Sequence, residues 1–483
     1  MVQSPTAYDA IIIGAGQAGG PLAHNLADRG WKVALIERQH LGGSCINYGC
    51  TPTKKMIASA RTAETARRAG QYGVHTGPVQ VDLAAVVAMK DELVASFRAG
   101  QEERVRSRPN ITLYRGEGSF VGPHQVRVHG RDFEEDLTAG HIFINTGSGP
   151  KVPDIPGLQS VPYLTNHTIL DLTELPRHLL ILGGSYIGLE FGQMFRRFGS
   201  QVTIIEKHRQ LMRKEDPDVS EALRQVLEAE GIRVLLDTGV ESVRSDDGAV
   251  RIAIRSHHSK QTDGSQRQEL EGSHLLVAAG RQPNTHSLNL EAAGVHTGKG
   301  GWITVNEYLE TSTPGIYALG DVKGGPAFTH ISYNDFQIVY HNLFHDEKKS
   351  TRERIIPYAL YTDPELGRVG LTEKQALQQG YRIRVGKIPM SHVARAIENN
   401  RTQGLMKVVV DADSECLLGA AVLSENGGEL VHSLMTLMMA RAPWTLYHGA
   451  VFIHPTLSEG FFSLMDQVAR AEVISGPPQA DTG

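Results

Sequence analysis

Two of the chain's three cysteines, Cys45 and Cys50, stand with four residues between them in Gly42-Gly43-Ser44-Cys45-Ile46-Asn47-Tyr48-Gly49-Cys50-Thr51-Pro52-Thr53-Lys54. Two thiols this close can exchange an electron pair as a disulfide, provided the backbone lets them meet. A disulfide needs Cα atoms within about 7 Å. Five residues of straight α-helix advance about 7.5 Å and turn the second side chain away from the first. A Cys45–Cys50 bridge therefore requires a distorted turn, and Gly43 and Gly49 supply the freedom for one. The competing reading of a bare pair is two unrelated buried thiols. A second constellation, His454-Pro455-Thr456-Leu457-Ser458-Glu459, sets an imidazole five residues before a carboxylate. A lone histidine is more often structural, but an imidazole fixed by a carboxylate can move a proton.

These groups need elements to hold them. The apolar run Asp9-Ala10-Ile11-Ile12-Ile13 reads as a buried parallel strand. It enters Gly14-Ala15-Gly16-Gln17-Ala18-Gly19, then a helix over 21–29 and a second strand over 31–36 that ends at Glu37. Glycines here let the backbone approach a pyrophosphate at a helix N-terminus, and Glu37, 23 residues after Gly14, is placed to bind a ribose. The unit recurs about 170 residues later: a strand over 178–182, Gly183-Gly184-Ser185-Tyr186-Ile187-Gly188, a helix through 198, and a strand over 201–205 ending at Glu206. Ser185 replaces the middle glycine. The repeat implies two dinucleotides.

Composition bounds the rest. A chain of 483 residues, 40% hydrophobic, 21% charged and with net charge −5 holds several domains of an ordinary globular protein. No basic excess points to nucleic acid or an anionic membrane, and no apolar run is long enough to span a bilayer. Three cysteines do not make a secreted disulfide framework, so the expected location is cytoplasmic. Helices are expected over 55–68 and 83–106, and a small β-region over 111–129. The polar stretch 256–272 reads as a solvated hairpin or loop. Residues beyond Arg470, rich in Gly, Pro, Ala and Asp, are expected to be disordered.

Gly-Gly-x-Cys-x4-Cys-x-Pro-x-Lys and His-Pro-Thr-x-x-Glu resemble the class I pyridine nucleotide–disulfide oxidoreductases, a family that includes dihydrolipoamide dehydrogenase, glutathione reductase and mercuric reductase. The resemblance covers nearly the whole chain. It implies an α/β fold with two Rossmann-like domains, for FAD and NAD(P), and a C-terminal α+β dimerisation domain. Residues 1–150 and 281–345 would form the FAD domain, 151–280 the NAD(P) domain, and 346–470 the interface domain. The FAD site would draw on Gly14, Gly16, Gly19, Glu37, Gly43, Thr146, Gly147 and Asp321. The nicotinamide nucleotide's would use Gly183, Ser185, Gly188, Glu206, Gly280 and Arg281. Asp321 also reads as a helix N-cap.

The same resemblance implies the chemistry. Hydride passes from NAD(P)H to the flavin, Tyr186 gating the nicotinamide pocket and the Lys54–Glu190 ion pair lying beside the flavin. Cys50 is the sulfur nearer the ring, and Cys45 is the one that attacks a disulfide substrate or is attacked by a dithiol. His454 crosses a homodimer interface to the partner's cysteines, with Glu459 supporting its charge. Glu206 favours NADH, whereas Lys207, Arg209 and Arg213 keep NADPH possible. The substrate class is a small disulfide or dithiol, or a small protein, with no resident metal. Alternatives are reduction of a metal ion such as mercury or copper by the cysteine pair, or a redox sensor without turnover. Mercury fits less well, since mercuric reductases carry a C-terminal cysteine pair and no cysteine follows Cys416 here. Phe452 and His330 also depart from common family residues, and Cys416 reads as a packing residue.

Overall fold

In the computed structural model, which describes residues 5–256 and 266–476, the apolar run at the N-terminus is the strand Thr6–Ile13, with Ala10, Ile11 and Ile12 closed to solvent. It lies between Val33–Glu37 and Glu134–Ile144 and runs parallel to both. Burial on both faces explains why the run shows no polar alternation. The sheet continues through Ile111–Gly122 and Gln125–Gly130, and a much later strand, Ile316–Ala318, returns to pair with Glu134–Ile144. That return brings Asp321 to the C-terminal end of the first sheet.

The second nucleotide-binding pattern folds as drawn from its sequence: strand His178–Leu182, helix Tyr186–Phe198, strand Gln201–Ile205, with Arg233–Leu235 and His274–Val277 completing a parallel sheet. A separate antiparallel sheet of Thr238–Asp246, Ala249–Ser256 and Gln266–Gly272 packs beside it. Of the hairpin or loop expected over 256–272, the loop alternative is corrected: Gln266–Gly272 is a strand antiparallel to Ala249–Ser256, and 257–265 lie outside the described residues. Its one buried apolar side chain is Leu270, opposite Ile252. The rest of the strand pairs through charges such as Arg244 and Arg251 with Glu269, leaving no apolar periodicity to read.

The third sheet is antiparallel, in the order Pro357–Leu360, Glu365–Gly370, Leu417–Ser424, Leu405–Asp411, Arg382–Pro389, Ile474–Ser475. Helices Gly427–Met439 and Gly460–Arg470 cover it. The disorder expected beyond Arg470 fails for 471–476: Ile474–Ser475 adds to the open edge of Arg382–Pro389, where unpaired backbone groups accept a short strand. Residues 477–483 lie outside the described residues. Among the described residues no helix is long and apolar enough to cross a membrane.

Candidate active site

The helix Gly43–Tyr48 ends, and the helix Cys50–Arg68 begins, with only Gly49 between them. Gly49 takes φ −130° and ψ −116°. A Cβ there would sit 2.9 Å from the Ser44 carbonyl oxygen and 3.4 Å from the Cys45 Cα. A side chain would push the two cysteine-bearing helices apart. The distorted turn is thus a helix break, and the second helix starts at Cys50 rather than at Lys55. Gly43, at φ +61°, packs so closely on the first glycine loop that its Cβ would lie 2.7 Å from the Gly16 Cα.

Both cysteines are thiols in this structure, their sulfurs within hydrogen-bonding reach. Cys50 is pushed down to about 6 because the Cys45 thiol donates to it; burial opposes this, while the Thr329 hydroxyl and the Lys54 charge assist. Cys45 is pushed up, first because it is that donor and then because it is buried. Thr329 Oγ1 lies 3.3 Å from Cys50 Sγ, at the start of helix Thr329–Phe344. The surroundings thus favour the negative charge on Cys50 and the proton on Cys45.

Lys54, one turn along the same helix, gives its ammonium to Glu190 at 2.7 Å. Burial works against the lysine's charge, but Glu190 outweighs it and the pKa is raised. Glu190's other oxygen accepts the Tyr361 amide at 3.0 Å, which ties the helix Cys50–Arg68, the second Rossmann-like unit and the third sheet together. Tyr186 is edge-on to Phe328 and Tyr358, each at 5.5 Å. His330 stacks on Phe328 at 5.4 Å and bonds the Pro357 carbonyl through Nε2 at 2.7 Å.

A continuous cavity of about 2020 Å³ runs past all of these residues and both glycine turns. Small-molecule sites typically enclose about 300–1,000 Å³, so there is room for two extended nucleotides. The glycine turns fit them. A Cβ on Gly14 would meet the Asn145 carbonyl oxygen at 2.3 Å, one on Gly19 the Gly14 carbonyl oxygen at 2.1 Å, and one on Gly188 the Gly183 carbonyl oxygen at 2.0 Å. The backbone amides of Gly16 and Gln17, and of Ser185 and Tyr186, have no protein acceptor among the described residues. Unpaired amides at a helix N-terminus in a cavity wall suit a pyrophosphate.

The two acids behave alike. Glu37 accepts the amides of Ala15 (3.0 Å) and Gln39 (2.8 Å); Glu206 accepts those of Gly184 (2.7 Å) and His208 (2.9 Å). Each locks its glycine turn against the next strand. Asp321 lies inside the short helix Gly320–Lys323, whose N-cap is Leu319, and does not cap it. Its carboxylate instead accepts the Ser148 hydroxyl at 2.8 Å, and Arg281 donates to the same hydroxyl at 2.8 Å. Thr146 and Asn284 exchange bonds beside Gly147 and Gly280.

Sequence reading missed several residues. Asn145 accepts the Gly19 amide at 2.8 Å and donates to the Leu319 carbonyl at 3.0 Å, joining the first turn to the returning strand. A polar residue at the end of an apolar strand was the available signal. Ser148 and Thr329 gave none, since their partners are distant in sequence. His454 is the residue not brought to the cysteines within the chain. Its Nδ1 meets Glu459 at 2.9 Å, but neither residue lines the large cavity, and the imidazole is exposed beside Ile453 and Val451.

Residues 8–335 match the family model described as pyridine nucleotide-disulphide oxidoreductase, and residues 356–464 its dimerisation domain. The chain is 37% identical over 466 residues to the probable pyridine nucleotide-disulfide oxidoreductase RclA of Escherichia coli, covering 95% of this chain and 99% of that one. It is 36% identical over 426 residues to a Staphylococcus aureus mercuric reductase, covering 88% of this chain and 76% of the relative. It is 33% identical over 473 residues to a Thermus scotoductus dihydrolipoyl dehydrogenase, covering 96% and 98%. A solved structure, the Cu(II) complex of the HOCl-induced flavoprotein disulfide reductase RclA from Escherichia coli, superposes with a TM-score of 0.85 at 36% identity over 95% of this chain and 99% of that one.

Proposed function

The chain belongs to the pyridine nucleotide-disulphide oxidoreductases, and from that premise we propose that Cys45 and Cys50 are the redox pair of an FAD-dependent NAD(P)H:disulfide oxidoreductase. The observation that carries this is the helix break at Gly49, which sets a low-pKa Cys50 against Cys45 in the wall shared by both glycine turns. In this reading residues 1–150 and 281–345 hold FAD through Gly14, Gly16, Gly19, Glu37, Gly43, Thr146, Gly147 and Asp321. Residues 151–280 supply Gly183, Ser185, Gly188, Glu206 and Gly280 for the nicotinamide nucleotide, with Arg281 at the junction. Residues 346–470 form the homodimer contact, and the enzyme works in the cytoplasm.

Bound FAD supplies the two-electron exchange between nicotinamide and the cysteine pair. The chain's residues do the rest. Tyr186 covers the nicotinamide pocket until the nucleotide arrives. Lys54, kept charged by Glu190, fixes a positive charge beside Cys50. Thr329 and Cys45 hold Cys50 as a thiolate. Cys45 then gives its proton to His454 of the partner subunit and attacks the substrate disulfide: a bond forms between Cys45 and one substrate sulfur, the other leaves as a thiolate that needs that proton, and Cys50 then displaces the bound substrate sulfur to close the cysteine disulfide. His454 of the partner subunit delivers it. With Nδ1 bound to Glu459, its Nε2 is free to carry that proton. A small disulfide or dithiol is the substrate class.

A second reading, reduction of a thiophilic metal ion by the same thiols, draws support from the Cu(II) complex of the relative and from Cys50's place in the cavity wall. The discriminating test is steady-state NADH oxidation with lipoamide, oxidised glutathione, thioredoxin, Hg2+ or Cu2+. Turnover confined to the metals would replace the disulfide reading.

NADH is the expected nucleotide. Arg209 is 84% exposed and faces Asp237 at 3.7 Å instead of lining the cavity. Lys207 and Arg213 do line it, beside Glu206. Wild-type kcat/KM should favour NADH, and Glu206→Ala should shift the ratio toward NADPH by removing the acid that repels a 2′-phosphate. A wild-type enzyme roughly tenfold better with NADPH, about 1.4 kcal/mol in transition-state binding, would show that the basic run prevails.

A further inference from the structure

Behind Tyr186 lies a buried charge pair that the chemistry above does not use. Glu215 precedes helix Pro217–Ala229, in a segment that rests on the turn opening Tyr186's own helix. Its amide donates to the Met212 carbonyl at 2.7 Å, the Met212 amide donates to Gly184 at 2.9 Å, and the Ser185 hydroxyl meets the Met212 sulfur at 3.8 Å. Arg368 comes from strand Glu365–Gly370 of the third sheet and forms part of the cavity wall. The two side chains are 0% and 2% exposed.

They do not hydrogen-bond. Arg368 Nη1 stands 3.6 Å from Glu215 Oε2 and 3.7 Å from Asp216 Oδ2. Both Glu215 oxygens, and Nη1 and Nη2 of Arg368, have no hydrogen-bond partner among the described residues. Asp216 is engaged elsewhere, by Lys407 at 3.3 Å. A buried ion pair gains net stability only when its remaining donors and acceptors are satisfied. Burial pushes Glu215 up to about 7 despite Arg368. The gap offers one acceptor and one donor side by side, the complement of a phenol.

Tyr186 is the phenol at hand. Its hydroxyl has no hydrogen-bond partner among the described residues, and both Glu215 and Arg368 act on it electrostatically. Burial first, then Glu215, raises its pKa, so it stays protonated and able to donate. We propose that Glu215 and Arg368 receive the Tyr186 hydroxyl when its ring leaves the nicotinamide pocket, Glu215 accepting its proton in a hydrogen bond and Arg368 donating to its oxygen. They are positioning residues for nicotinamide binding, and the inference rests on Tyr186 acting as the gate.

The test is stopped-flow reduction of the FAD-loaded enzyme by NADH, comparing wild type, Tyr186→Phe, Glu215→Gln and the double variant. Each single variant should raise the Kd for NADH about tenfold, the loss of one charge-assisted hydrogen bond. The double variant should be no weaker than either single one, since both remove one bond. Additive losses, near hundredfold, or an unchanged Kd in Tyr186→Phe would overturn the inference; the latter is the result if water alone fills the gap. Should Glu215→Gln not fold, Tyr186→Phe against wild type still decides. Tyr186→Ala separates the underlying premise: wild-type Kd and rate in that variant would remove the gate itself, whereas additivity with a perturbed Tyr186→Ala leaves the gate standing without its receptor.

Discussion

Cys45→Ser should abolish turnover of disulfide substrates, a loss of about 10⁴–10⁶-fold for removal of a nucleophile, while leaving a Cys50 thiolate against the flavin. The two sulfurs differ in environment: Cys50 accepts from Thr329 and lies near Lys54, whereas Cys45 is the donor. The loaded variant should therefore show long-wavelength thiolate-to-flavin charge transfer without added reductant. The variant loses the Cys45 thiol but keeps Thr329 and Lys54, which also lower the Cys50 pKa. The band is present while Cys50 is ionised and fades as pH falls through the variant's own pKa, because the thiolate is the coloured partner. Thr329→Ala should move the fade to higher pH by removing a donor to the thiolate. If the band belongs to Cys50→Ser instead, the order of the sulfurs is reversed.

His454→Ala should slow disulfide turnover by about 10²–10⁴-fold, the usual cost of losing a positioned acid–base group. Flavin reduction by NADH should barely change, because the proton is needed only when the substrate thiolate leaves. In the single chain His454 and Glu459 bond each other outside the large cavity, with Ile453 79% exposed and Val451 fully so. Large exposed apolar side chains mark surfaces that become covered, and the segment belongs to a dimerisation domain. Unchanged disulfide turnover in the variant, measured at saturating NADH, would remove His454 from the mechanism and with it the shared active site.

What could be read before the fold was known divides by range. The glycine turns and the acids Glu37 and Glu206 are local patterns, a strand, a turn and a helix within about 30 residues, and the structure keeps their order. The cysteine pair was legible for the same reason, together with the need for glycine between them. The Lys54–Glu190 contact, 136 residues apart in the chain, was reachable only through family resemblance. Thr329, Asn145 and Ser148 owe their roles to partners 279, 126 and 173 residues away; only Asn145 carries a local mark, as a polar residue ending an apolar strand. Gln266–Gly272 could be read only as part of a hairpin or loop, and Ile474–Ser475 went unread as a strand, because edge pairing, not apolar alternation, makes them.

The central claim is that Cys45, Cys50 and FAD form one redox unit, and anaerobic titration with NADH tests it most directly. Two electrons should first reduce the cysteine pair, giving the long-wavelength charge-transfer band before the main flavin absorbance bleaches, and a second equivalent should be needed to bleach it. Complete bleaching by a single equivalent with no long-wavelength band would mean that the cysteines take no part.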